Sequence, residues 1–181
     1  MFQKGERIVY DSLGVCEVED IKLFQFAEME EKQYYVLRPL DLTGEILIPA
    51  DTSVFMRPIM TQQEAERLID QIPTIQADPY LCSEQTKLNQ YYSDVIHSHN
   101  CADLVTLVMS VFAKRRIRAD RNQKAGLIDE NYFKRAENLL NNELSVVLGI
   151  PRDEVPAYIA ASVNRCRKEK KHEFDARASR A

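Results

Sequence analysis

Up to about residue 58 the chain alternates short apolar runs with polar positions, as strands half exposed to water do. Ile8-Val9-Tyr10 follows a Lys4-Gly5-Glu6 turn, and Gly14 to Ile21 alternates small or apolar residues with acidic ones. Two further strands are expected. Gln33-Tyr34-Tyr35-Val36-Leu37 is aromatic and β-branched; Glu45-Ile46-Leu47-Ile48 follows a Leu42-Thr43-Gly44 turn and ends at Pro49, which cannot donate to a ladder. Val54-Phe55-Met56 offers a fifth.

Beyond Pro58 the period lengthens to that of helices. Thr61-Gln62-Gln63-Glu64 is a capping-box sequence and predicts a helix to about Gln71. Pro73 and Pro79 bracket a linker. From Ser83, Leu88, Tyr91, Tyr92, Val95 and Ile96 recur at i, i+3, i+4, i+7 and i+8, and Leu104, Leu107, Val108, Val111 and Phe112 repeat that spacing in a third helix. A fourth starts near Asp129, presents Phe133, Ala136, Leu140, Leu144 and Val147, and stops at Gly149. Pro151 opens a fifth, with Val155, Ile159 and Val163 inward, and from Arg165 little is left to bury. The fold class expected is therefore α+β. A small Tudor- or SH3-like antiparallel β-barrel at 1–60 precedes an all-α helical domain at 61–167 and a flexible basic tail at 168–181.

The net charge of −4 conceals a segregation. Residues 1–60 carry 6 basic and 11 acidic side chains, 61–110 carry 2 and 7, and 111–181 carry 16 and 10. The densest run is Lys114 to Lys124, six positive charges against one negative. On a continuing third helix Lys114, Arg118 and Arg121 would form one cationic ridge suited to phosphates, with Arg115 turned toward the core; a solvated helix end is the alternative reading.

Candidate chemistry is sparse. His97, His99 and Cys101 could in principle ligate zinc, but no second ligand pair lies at a recognisable spacing, and a polar turn capped by Asn100 is expected instead. Cys16, Cys82, Cys101 and Cys166 form no CxxC pair and read as reduced thiols. Tyr10, Tyr34 and Tyr35 suggest core rather than an aromatic cage. Without a poised acid, base, nucleophile or cofactor motif, the chain reads as non-enzymatic. The start Met1 to Glu6 lacks the apolar core of a signal peptide and no run is long enough to span a membrane, so a cytoplasmic protein is expected.

The succession of motifs resembles the CarD/CdnL family of bacterial transcription regulators, whose N-terminal barrel is also the RNA polymerase-interacting domain of transcription-repair coupling factors. Roughly residues 1–150 carry the likeness. It rests on Phe2-x-x-Gly5-Glu6-x-Ile8-Val9-Tyr10 followed by Gly14-Val15, on Tyr34-Tyr35-Val36-Leu37, on Ile46-Leu47-Ile48-Pro49-Ala50, and on the run Ala136 to Leu144.

The resemblance implies a barrel that docks on the polymerase β subunit by strand addition. Glu45, Ile46, Leu47 and Ile48 would be the edge, with Phe24 on the neighbouring strand end. It also implies a helical domain that contacts promoter DNA through phosphates, here by Lys87, Lys114, Arg116, Arg118, Arg121 and Lys124. The family's tryptophan wedge has no counterpart: the chain has no tryptophan, and the corresponding segment reads Gln85-Thr86-Lys87-Leu88. An aromatic stacked at an unstacked base step contributes on the order of 1–3 kcal/mol, so promoter melting would be stabilised less. The expectation is a monomeric transcription regulator without cofactor. A polymerase-binding adaptor that recruits a protein through its helical half is the alternative.

Overall fold

The computed structural model describes residues 1–25, 31–75 and 78–178, with side chains to Cys166. The chain divides into two units, Met1–Met60 and Thr61–Ala181.

The first unit is one antiparallel sheet of β1 (Arg7–Tyr10), β2 (Gly14–Phe24), β3 (Lys32–Pro39), β4 (Ile46–Pro49) and β5 (Met56–Pro58). Its order is β4-β3-β2-β1-β5. The sheet is open: among the described residues no ladder joins β4 to β5, so the closed barrel expected from the short strands does not form by hydrogen bonding. Ile8, Cys16, Val18, Tyr35, Leu37 and Ile48 form the core of one face.

Parity decides how β2 contributes. Val18 and Ile21 are three apart and would point to opposite faces of a regular strand. A register shift between Val18 and Asp20 inserts Glu19 as an extra residue, so that Val18 pairs with Leu37 and Ile21 with Tyr35 on the same face. Tyr35 is buried in the core, and its hydroxyl accepts the Phe2 amide at 3.1 Å. Tyr34 points to the opposite face, so Tyr10, Tyr34 and Tyr35 do not converge on a cage.

The second unit contains α1 (Gln62–Gln71), α2 (Gln85–Ile96), α3 (Cys101–Asp120), α4 (Leu127–Leu148) and α5 (Val155–Ala178), with 3₁₀ turns at Ile72–Thr74 and Arg152–Glu154. The capping box closes α1 as its sequence dictates. The Thr61 amide donates to Glu64 Oε2 at 2.7 Å and the Glu64 amide to Thr61 Oγ1 at 3.2 Å. Gly149 ends α4 at φ 66°, a left-handed conformation that disfavours any residue with a Cβ. Pro151 does not open α5; it precedes the second 3₁₀ turn, and Pro156 takes the first-turn position instead.

From Arg165 the backbone does not fray as the lack of apolar residues suggested but remains helical to Ala178. Lys168 to Ala178 is composed largely of Lys, Glu, Arg and Ala, residues of high intrinsic helix propensity. Among the described residues no helix is long and apolar enough to cross a membrane.

Candidate docking edge and basic helix end

In the first unit the strand expected to dock is β4, which among the described residues pairs only with β3. The Ala50 amide donates to the Gln33 carbonyl at 2.8 Å, which fixes the hydrogen-bonding phase of this ladder. Stepping two residues at a time through the register, Ile48 opposite Tyr35 and Ile46 opposite Leu37 also direct their amides and carbonyls toward β3. Leu47 then directs its own N–H and C=O away from the sheet. Pro49, also in the outward phase, has no N–H to leave unpaired, which is why proline is tolerated there.

Side chains divide in the same way. Ile48 is buried and Ile46 packs against the core, while Leu47 lies on the other face and is 42% exposed. Beside Leu47 on that face are Val36, directly opposite it, and Tyr34, opposite Pro49. Phe24 meets Tyr34 edge-on, with ring centroids 5.8 Å apart. Its strand is not the neighbour of β4, as the sequence suggested: β3 lies between them. Phe24 nonetheless shares the Leu47 face. Of the residues expected to dock, the structure therefore brings Leu47 and Phe24 to one outer surface, sends Ile46 and Ile48 inward, and leaves Glu45 exposed just before β4.

In the second unit the row of Lys114, Arg118 and Arg121 does not form a solvated ridge. Lys114 is buried at 2% exposure, its ammonium 2.7 Å from Asp129 Oδ1, and the Tyr92 hydroxyl donates to the same oxygen at 2.9 Å. Arg118 is half-buried beside them, 3.7 Å from Asp129 Oδ2, and donates to the Lys124 carbonyl at 3.2 Å. Arg115 forms a two-pronged pair with Glu130 at 2.7 and 2.6 Å, and its guanidinium carbon lies 3.8 Å from the centre of the Phe133 ring. It is thus packed rather than free, as its position on the helix implied.

The reason lies in spacing. Leu104, Leu107 and Val111 lead by steps of three and four to 114 and then 118, so Lys114 sits on the buried stripe and not beside it. On α4 the stripe Leu144, Leu140, Ala136 and Phe133 leads back in the same way to Asp129. The two charges belong to facing stripes of two adjacent helices and meet at the end of the shared core. Burial, followed by the hydrogen bond to Asp129, holds the Tyr92 phenol well above its ordinary range. Gly126 precedes α4 because the space is taken: a Cβ there would lie 2.6 Å from Asp129 Oδ2 and 3.2 Å from Arg118 Nη1.

The cations that remain on the surface are Arg116, Arg121 and Lys124, all exposed. Lys87 is exposed in the first turn of α2 and pairs with Glu84 at 2.7 Å. Near it Tyr80 stacks on Tyr91, centroids 4.1 Å apart. The His97 to Cys101 segment is a turn. His97 Nδ1 lies 2.7 Å from the Ser93 carbonyl, Asn100 caps α3 by accepting the Ala102 amide at 2.9 Å, and the buried Cys101 thiol donates to Glu143 Oε2 at 3.2 Å. Among the described residues no three His, Cys, Asp or Glu side chains converge as a metal site.

The class defined by this fold is a small open antiparallel sheet of five strands with β4 at one edge. Residues 2–60 match the family model of the CarD-like/TRCF RID domain, and this first unit is a member of that domain family. No curated protein matches the chain.

Proposed function

We propose that this chain is a CarD-like transcription regulator that binds RNA polymerase through its first unit and contacts promoter DNA through its second. The observation that carries the first half is the phase of β4: among the described residues the N–H and C=O of Leu47 have no partner, on the outer edge of the domain matched by the family model. A strand of the β subunit laid there would extend the sheet, with Leu47 and Phe24 supplying apolar contact on one face.

The phase also selects the test. Proline at Ile46 would remove a donor to β3 and unravel the edge, whereas Leu47→Pro removes only the outward donor. Leu47→Pro in the full chain is expected to keep the native circular dichroism and lose co-purification with the β subunit. Retained co-purification would reject this edge.

For the second half, Arg116, Arg121 and Lys124 supply the phosphate contacts, with Lys87 secondary because Glu84 already occupies its ammonium. Lys114 and Arg118 act by positioning the helix end. The adaptor reading, in which the helical unit recruits a protein, is favoured by one observation: Lys114, Arg115 and Arg118 are engaged internally by Asp129 and Glu130. Promoter binding by polymerase with and without the chain separates the two.

A further inference from the structure

The helical unit contains a cavity of about 210 Å³ walled by α1, α3, α4 and α5. Its floor is apolar, with Ile69, Val105 and Leu144 each no more than 6% exposed. Its polar wall is Glu137 and Asn141, one turn apart on α4. Among the described residues neither side chain makes a hydrogen bond or ion pair. The site thus joins an apolar hollow, open to solvent on one side, to a carboxylate and an amide that no protein group pairs among the described residues.

We propose that this cavity binds a small organic cation with an apolar body, an alkyl- or arylammonium. Size follows from volume: a 150 Å³ apolar cavity admits benzene, so 210 Å³ admits about eight heavy atoms. Sign follows from Glu137, which is acceptor-only as a carboxylate and faces an apolar wall, where the attraction for an ammonium is stronger than in bulk water. Asn141, through its amide oxygen, accepts a second N–H. An anion of the same shape would meet Glu137 with like charge. A neutral molecule would gain only the apolar contact.

Benzylammonium, benzyl alcohol and benzoate are the probes, similar in shape and differing in charge. Each is titrated into the full chain while methyl and amide resonances are followed. Benzylammonium is expected to saturate with shifts at Val105, Leu144 and Glu137, to bind at least tenfold more tightly than benzyl alcohol, and benzoate not to bind. Glu137→Gln, nearly isosteric at a half-buried position, should erase the tenfold preference and leave benzyl alcohol unchanged. Absence of saturable shifts, equal affinity for the cation and the alcohol, or a preference that survives Glu137→Gln would each overturn the proposal. Concentration-dependent shifts of the same methyls without any probe would also overturn it, since they would show the hollow seating a side chain of a second copy.

Discussion

Lys114 shows how a single residue changes role with its surroundings. Charge counting assigns it to a DNA-facing ridge, while the steps of three and four from Leu107 and Val111 assign it to the core, and the structure follows the steps. Its partner Asp129 is equally buried, so removing Lys114 leaves that carboxylate only the longer contact to Arg118 at 3.7 Å and the Tyr92 hydroxyl. Lys114→Ala should cost about 3–5 kcal/mol of unfolding free energy in urea titration, far more than a surface lysine. Lys114→Met with Asp129→Leu and Tyr92→Phe should recover part of that, because apolar groups replace an ion pair whose desolvation offsets its attraction and no buried hydroxyl is left without its acceptor. A fall in promoter binding for Lys114→Ala that tracked the unfolded fraction would mark a structural role. In the sheet unit, burial pushes the Cys16 thiol up to about 11 from 9.0. Below pH 9 both folded and unfolded thiols are protonated and the stabilisation is whole. Between pH 9 and 11 the unfolded chain ionises first, so stability should decline across that window. Urea midpoints measured from pH 8 to 11 on the native chain and on Cys16→Ala check this: the variant should show a shallower fall. Thiol reagents at pH 8 should leave Cys16 unmodified until unfolding.

Among elements, helix boundaries set by a cap were legible in sequence, because caps are local chemistry, whereas the start of α5 was not, since Pro151 precedes a 3₁₀ turn instead. Thr61 with Glu64 and Gly149 each settle a boundary without tertiary information. Thr61→Ala should therefore cost about 1 kcal/mol in thermal or urea unfolding. The bulge at Glu19 was not legible, since it is forced by partners on β3 that bring Val18 and Ile21 to one face. Nor was the separation of Phe24 from β4 by an intervening strand, because strand order is a tertiary property that the sequence of short strands does not encode. Gly126 lies between these cases. Its φ of −73° suits any residue, and what demands glycine is Asp129 and Arg118 coming within van der Waals reach. Gly126→Ala should thus destabilise by about 1–3 kcal/mol through overpacking. Combined with Asp129→Ala it should add less than its single cost, as sites in contact do; strict additivity would show that the crowding at Asp129 is not the cause.

For the molecule as a whole, the charge of −4 and the basic run at 114–124 pull in opposite directions, and the structure reduces the second. Of its six cations, Lys114, Arg115 and Arg118 face Asp129 and Glu130, so the free surface charge is carried by Arg116, Arg121 and Lys124. Three cations on an acidic chain are a weak electrostatic footprint for duplex DNA. The isolated chain should accordingly show little retardation of promoter DNA at physiological salt. Tethering changes the arithmetic, because a chain held on polymerase presents these side chains to DNA at a high effective concentration. Reversing all three, Arg116→Glu, Arg121→Glu and Lys124→Glu, should leave co-purification with the β subunit intact. It should also lower promoter occupancy by the polymerase complex and flatten the slope of log affinity against log salt by up to about 0.9 for each phosphate no longer neutralised. A slope identical to that of the unaltered chain would mean that the exposed end of α3 does not meet DNA at all, and the helical unit would then have to act on a protein.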